Sequence, residues 1–524
     1  MKRKIYLFGF ICLLAIGNAQ TAYKDVAPIF YAHCTTCHNQ YGHFPLLSYS
    51  NVVANAGLMS HDLQNDIMPP WPPDTTYSRF IHERLMSSAD RSTLVNWLSA
   101  GMYAGDTTLA PPAPVYTRYK LTGTPSLIVQ GPAFVSNAST TDSYVCFSIP
   151  INLTQDQIVR AYEVVPSNPA IVHHVIVNVD TVGNTSSDLS GTCYTAPGSF
   201  SMGGYAPGAE PTVLPGLAPL KMGMKLKAGS KIVLQVHFPT GTAGHTDSTQ
   251  LRLFFYPTGA TGIRSVMVKT PLQNWSMMMP ANAVTNYTAQ YPGGSTPIPI
   301  DLSMFAAFPH SHKVCTSLYN YASNGSSTIN LIRINKWLFN WQGYYTYRNL
   351  VRIPAGYQLH SNHTYDNTTN NINNPFSPPQ TVYAGTNTTD EMLFDSYMYL
   401  YYQAGDENIN IDSLLQNDTL LMAGIRPATN YGSNVKVSCF PNPFSDKVRL
   451  SYSLDYTTSV KVAVYDLFGR QVAVLFSGRE EPGMQYHDWI PNTSEGAPST
   501  GMYLYKITIG SSQHTGKLIF RARN

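Results

Sequence analysis

Residues 170–180 read AIVHHVIVNVD. Ile171, Val172, Val175, Ile176, Val177 and Val179 favour the pleat of a strand. Two histidines, His173 and His174, nevertheless stand side by side within it. Neighbouring side chains on a regular strand point to opposite faces. One imidazole should therefore face the core and the other the far side. Whether both can do one job decides how the middle of the chain is read.

Working outward, residues 116–425 read as short strands punctuated by Gly, Pro and Asn. KIVLQVHFP (231–239), LRLFFYP (251–257) and MYLYYQ (398–403) are typical. This is the pattern of β-sandwich architecture. His237 ends one such strand, and His310 and His312 form an H-x-H in FPHSHKV (308–314). Alternation places His310 and His312 on one face, where they can chelate one ion. Met392, in TTDEMLF (388–394), carries a soft sulfur that favours Cu(I), and imidazoles suit copper or zinc. Taken singly, each histidine is better read as an ordinary strand residue.

The totals bound the rest. At 524 residues the chain is too long for one ordinary core and implies three or four domains. Charged residues make up only 12%, about half the usual soluble share, and the apolar fraction is 43%. The net charge of +3 comes without a basic stripe, so nucleic acid is not expected as a partner. The start reads as a signal peptide over 1–19. Lys2, Arg3 and Lys4 precede IYLFGFICLLAI, and Gly17 and Ala19 fit the cleavage pattern. That apolar run is short for a membrane span, so export without stable membrane insertion is expected. Cys12 leaves with the signal. Cys34, Cys37, Cys146, Cys193, Cys315 and Cys439 remain. Export permits disulfides.

HCTTCHN (33–39) places Cys34, Cys37 and His38 as C-x-x-C-H. Two thiols one helical turn apart can add to the two vinyl groups of haem, with His38 then beneath the iron. A redox dithiol or half a zinc site would not use the adjacent histidine. NDIMPPWPPD (65–74) offers Met68 as sixth ligand on a proline-stiffened loop, with Met59 and His61 as weaker rivals. SSADRSTLVNWLSAG (87–101) follows, with Ser88 or Asp90 as cap and Leu94, Trp97 and Leu98 on one face. Residues 20–104 thus resemble a small α-helical c-type cytochrome, and 105–115 read as a linker.

The middle region resembles the copper type II, ascorbate-dependent monooxygenases, the family of peptidylglycine α-hydroxylating and dopamine β-monooxygenases. AIVHHVIVNVD, GGYAPGAEP (203–211), AGSKIVLQVHFPTG (228–241), FPHSHKV, HTYDNTTNN (363–371) and GTNTTDEM (385–392) carry it, in family order. The resemblance implies two jelly-roll-like β-sandwiches, 116–275 and 276–425, facing each other across a solvent-filled cleft. It implies that His173, His174 and His237 hold an electron-transfer copper. His310, His312 and Met392 would be the catalytic set, holding the copper at which dioxygen and substrate meet. We expect His173 and His174 to bind through different ring nitrogens, or across a bulge. Gln235, on the His237 strand face, is either a hydrogen-bonding residue of the cleft or a structural amide. A Cys146–Cys193 disulfide would match one of the family's bridges, leaving Cys315 free and buried. Ascorbate or another one-electron donor, or the haem segment, would supply electrons. Peptide-amidating members have an arginine two residues before the H-x-H, and an Asn and a Tyr after the methionine. Here those positions are Phe308, Phe394 and Ser396. The carboxylate clamp is missing, and an apolar or aromatic small substrate is expected instead.

After a linker at 426–434, residues 435–524 alternate as strands again. Asn442-Pro443-Phe444, Tyr465-Asp466 with Gly469, and Gly501-Met502-Tyr503 resemble the type IX secretion sorting domain of Bacteroidetes, a small immunoglobulin-like sandwich. The expectation is a multidomain, mainly β chain that is exported through the periplasm and secreted or held at the cell surface by the type IX machinery. An electron carrier without hydroxylase activity is the alternative, and a structural adhesin a third.

Overall fold

The structure is a computed structural model. It describes residues 20–42, 44–190, 199–416, 418, 420, 437–454, 458–466, 469–480, 483–491, 499–509 and 512–522. The expected signal peptide with Cys12, the residue Cys193 and the linker 426–434 lie outside the described residues. The chain divides into two units, Met1–Ile425 and Arg426–Asn524, each described by itself. Among the described residues no helix is long and apolar enough to cross a membrane.

The first unit opens with helices Tyr23–His33, Tyr49–Ala54, Ala56–Gln64 and Ser88–Ser99. The cap of the last is Ser87, one residue before the expected Ser88; its Oγ accepts from the Asp90 N–H at 3.0 Å. Leu94, Trp97 and Leu98 face the helical core as expected, against Val26, Phe30, Val52 and Leu63. Ala110 and Ala113 of the expected linker pack on this core too. Residues 71–81 do not. Trp71 and Phe80 pack with Tyr345 and Tyr347 of the second sandwich, and Asp74 pairs with Arg333 at 2.7 Å. Apolar side chains in a proline-stiffened arm find a larger core there than four short helices offer.

Two β-sandwiches follow. One sheet of the first carries, in spatial order, Ser143–Pro150, Lys231–Phe238, His174–Asp180 and Phe200–Tyr205. Val145, Val236 and Val175 align across it, as do Phe147, Leu234 and Val177, and these point into the core. Period-2 alternation then sends Tyr144, His237 and His174 to the opposite face. The second sandwich pairs a sheet of Met267–Gln273, Phe394–Tyr401, Leu302–Phe308 and Tyr345–Ile353 with one of Val284–Tyr291, Gln358–Asp366, Cys315–Ser323 and Thr328–Ile334. It starts at Met267, ahead of the expected boundary at 276. Phe305, Ala306, Met398 and Leu400 belong to the same apolar cluster as Val213 and Leu220. The two sandwiches are therefore joined by core packing, not only set across a cleft as expected.

The second unit has sheets Ser438–Phe440, Val448–Leu454, Gly483–Trp489 and Gln471–Glu480, Thr458–Tyr465, Gly501–Ile509, Ser512–Phe520 around Leu450, Tyr452, Val462, Trp489 and Leu518. Asn442 ties its loop to the last strand, and Asp466 closes a local turn. Asn442 Oδ1 accepts from the Ile519 N–H and its amide donates to Lys517 O, while the Asp466 carboxylate accepts from Arg470.

Candidate metal centres

His174 and His237 are directly opposite in the antiparallel register, so their rings share a face. The strand begins at His174; His173 precedes it, and its N–H donates to His237 O at 3.0 Å. Alternation therefore does not govern the pair. His173 Nδ1 lies 3.2 Å from His174 Nδ1, which lies 3.4 Å from His237 Nδ1. Among the described residues these three form a group able to hold one metal ion. The expectation is of different ring nitrogens; instead the three Nδ1 atoms lie together, with His173 just outside the strand.

The outer nitrogens explain the choice. His237 Nε2–H donates to Asp142 Oδ2 at 3.0 Å, and His173 Nε2 faces Asn340 Oδ1 at 3.3 Å. A proton held on Nε2 leaves the Nδ1 lone pair for a metal. Asp142 is itself held by the Thr240 N–H and hydroxyl, and Tyr144 stacks on His237 at 4.2 Å. Burial, then the neighbouring His173, pushes His237 down to about 4 despite Asp142. Burial also takes His174 well below its usual value, with His237, His173, His310 and His312 adding to it. The His174 and His237 rings are neutral at neutral pH.

His310 and His312 lie on the connection after strand Leu302–Phe308, not on a strand as the alternation argument assumed. Their rings are still together, with centroids 5.2 Å apart, while Ser311 between them turns the other way to His363 and the Met392 carbonyl. His312 Nδ1–H donates to Asp390 O at 3.1 Å. Gln342 donates its amide to Phe339 O at 2.8 Å, so its Oε1 is the atom that accepts from His310 Nδ1 at 2.5 Å. Both rings thus keep the Nε2 lone pair, the opposite nitrogen from the first set. Burial lowers both, His312 to about 3. The buried Glu391 carboxylate gathers the backbone N–H groups of His312, Val314, Cys315 and Met392, tying the methionine segment to the H-x-H. Beneath them His363 Nε2 meets Asp395 at 3.0 Å, and Asp395 accepts from the His310 N–H.

A cavity of about 940 Å³ lies between the helical segment and the first sandwich. Cys34, Cys37, His38, Met59 and Met68 line one side with Phe30, Leu46 and Leu63; Gly208, His173, Asn340 and Trp341 line the other. His61, a rival for the sixth position, is exposed and pairs with Asp62. Gly208 has φ +79°, and a Cβ there would stand 2.6 Å from Cys37 Sγ, so glycine is required at this approach. Arg84 donates to Gly208 O at 2.6 Å and lies 4.5 Å over the Trp341 ring.

Cys146, buried on the Gln235 and His237 face, is disulfide-bonded, while Cys34, Cys37, Cys315 and Cys439 are free. Its expected partner Cys193 lies outside the described residues. Sequence reasoning missed Asp142, Asn340, Gln342, Glu391 and the arm at 71–81. An isolated polar residue carries no spacing signal; only FNWQ, three polar or aromatic residues after Phe339, marks itself as unusual between strands.

Residues 263–416 match the model of the copper type II ascorbate-dependent monooxygenase C-terminal domain, and residues 438–521 that of the secretion system C-terminal sorting domain. No curated protein matches the chain. Among solved structures, β-glucuronidase 3 of Bacteroides uniformis is 7% identical over 45% of this chain and 27% of that one, with a TM-score of 0.12. Latent PorU of Porphyromonas gingivalis is 12% identical over 73% and 34%, with a TM-score of 0.15. The VP2 particle of infectious bursal disease virus is 8% identical over 56% and 76%, with a TM-score of 0.17. The chain spans about a third or less of the first two, and at such TM-scores none of the three carries an argument. The sorting domain marks the chain for secretion through the type IX system. The second sandwich is thus similar to the C-terminal domain of the copper type II ascorbate-dependent monooxygenases, and the residues after it to a secretion sorting domain.

Proposed function

We propose that the protein is a secreted copper monooxygenase that hydroxylates a C–H bond of an apolar or aromatic small molecule with dioxygen. One observation carries this reading. Two sets of imidazoles offer opposite nitrogens, three neighbouring Nδ1 at His173, His174 and His237, and an Nε2 pair at His310 and His312. Neutral imidazoles suit copper, and a Met392 thioether would select Cu(I) at the second set. Hydroxylation leaves one oxygen atom to be reduced to water, which takes two electrons and two protons. Copper, when bound, supplies one stored electron at each set.

The chain's own residues shape the substrate side. Phe308 lies parallel to His310 at 6.2 Å, Phe394 meets it edge-on at 6.5 Å, and exposed Trp275 packs on Phe394 at 6.0 Å. Such a wall favours an aromatic or alkyl group and gives a carboxylate no partner at Phe308 or Phe394.

Haem c fits the helical segment. The cavity is at the upper end of cofactor sites, roughly 300–1,000 Å³, with free thiols Cys34 and Cys37 and the ligand candidates His38 and Met68 on its wall. His173 on the opposite wall supports a relay of electrons from haem to the first copper. If Cu(II) at the first set is reduced as fast in Met68→Ala or in haem-free protein, the relay is wrong.

The deciding measurement is oxygen uptake by copper-loaded protein with ascorbate over apolar, amine and phenethyl substrates. Substrate-stimulated uptake lost in Met392→Ala supports the monooxygenase. No stimulation, with Met392→Ala behaving as wild type, leaves a secreted haem and copper electron carrier, which would use the same cavity.

A further inference from the structure

Four consecutive residues of the second sandwich touch every candidate redox site of the first unit. Phe339 stacks on the His173 ring at 6.2 Å and meets the His312 ring edge-on at 6.1 Å. Asn340 Oδ1 faces His173 Nε2 at 3.3 Å. Trp341 lines the cavity that holds Cys37 and lies under Arg84. Gln342 Oε1 accepts from His310 Nδ1 at 2.5 Å. The segment is closed on itself, because the Gln342 amide returns to Phe339 O at 2.8 Å and Trp341 N–H donates to Leu338 O at 2.9 Å.

We propose that Phe339–Gln342 is a positioning element shared by the two metal sites, setting the ring tautomer of one ligand in each and coupling metal binding at one to the other. This rests on the reading of the two imidazole sets as copper sites. A neutral histidine has two tautomers of similar energy, and the acceptor beside one nitrogen decides which nitrogen is left for the metal. A metal on His173 Nδ1 requires the proton on Nε2, which then donates to Asn340. That bond orders Asn340 and, through the closed turn, Gln342. An ordered Gln342 keeps the proton of His310 on Nδ1 and presents Nε2. The second ion then binds a segment whose ordering has already occurred, which is positive coupling. The reverse path is the same by reciprocity.

The test measures Cu(I) affinity by chelator competition, with copper stoichiometry read alongside, on the full chain. Wild type should bind two ions. His237→Ala, which disables the first site, should weaken the second site about 5-fold or more, the lower end of typical couplings. Asn340→Ala should weaken the first site about 10–100-fold, as loss of a ligand's outer hydrogen bond does, and should abolish the dependence of the second site on the first. Asn340→Asp, which keeps an acceptor oxygen, should retain the coupling, whereas Gln342→Glu, which loses the amide that closes the turn on Phe339 O, should not. A merely structural role predicts no such rescue pattern. Equal second-site affinity in wild type and His237→Ala, with two ions still bound by wild type, overturns the coupling. Fewer than two ions bound by wild type overturns the copper reading itself. Circular dichroism of each variant excludes a folding defect.

Discussion

His237 Nε2 donates to Asp142 Oδ2 at 3.0 Å, and the same carboxylate is anchored by Thr240. A carboxylate behind an imidazole fixes its tautomer and raises its basicity as a ligand. Asp142→Ala should therefore weaken copper at the His173, His174 and His237 set by about 10–100-fold. Competition with a chelator of known affinity measures this, and an unchanged constant would remove Asp142 from the site.

The arm at 71–81 depends on Asp74. Its carboxylate accepts from Thr76, Arg333 and Asn335, and these bonds hold it well below the usual carboxylate range against partial burial. The unfolded value is about 3.9. A depressed folded value means the stabilisation is complete above about pH 4 and is lost as pH falls below it. Arg333 is 38% exposed, so screening limits the pair to about 1 kcal/mol. Arg333→Ala should loosen the arm at neutral pH, and wild type should match it only in acid. Trp71 fluorescence, taken as the difference from Trp71→Phe, follows both; identical acid profiles for the two proteins would refute the clamp.

Met68 and Met59 both line the cavity together with His38. With haem attached through Cys34 and Cys37, Met68→Ala should abolish the sulfur-to-iron charge-transfer band and lower the reduction potential, whereas Met59→Ala should keep both. The reverse pattern would move the sixth ligand to Met59.

Cys146 lies opposite Gln235 in the register, two positions from His237. Cys146 is disulfide-bonded and sits on the strand beside the one that carries His237. Cys146→Ser should cost about 2–5 kcal/mol of stability and broaden the copper spectrum of that set more than of the other. A thermal scan unchanged by the substitution would show the bridge to be dispensable.

The histidine clusters that the fold brings together were legible because their spacing is itself the signal: adjacent histidines and an H-x-H. Sandwich architecture was legible from period-2 alternation, which the register of Val175, Val177 and Val179 follows. Which nitrogen each histidine offers was not legible. That depends on Asp142, Asn340, Asp390 and Gln342, which come from distant strands and connections and are set only when the sheets pack. The placement of Trp71 and Phe80 in the second sandwich was hidden for the same reason. Local sequence states that an apolar side chain must be buried, but the choice among cores is made by tertiary packing, where the larger buried area wins.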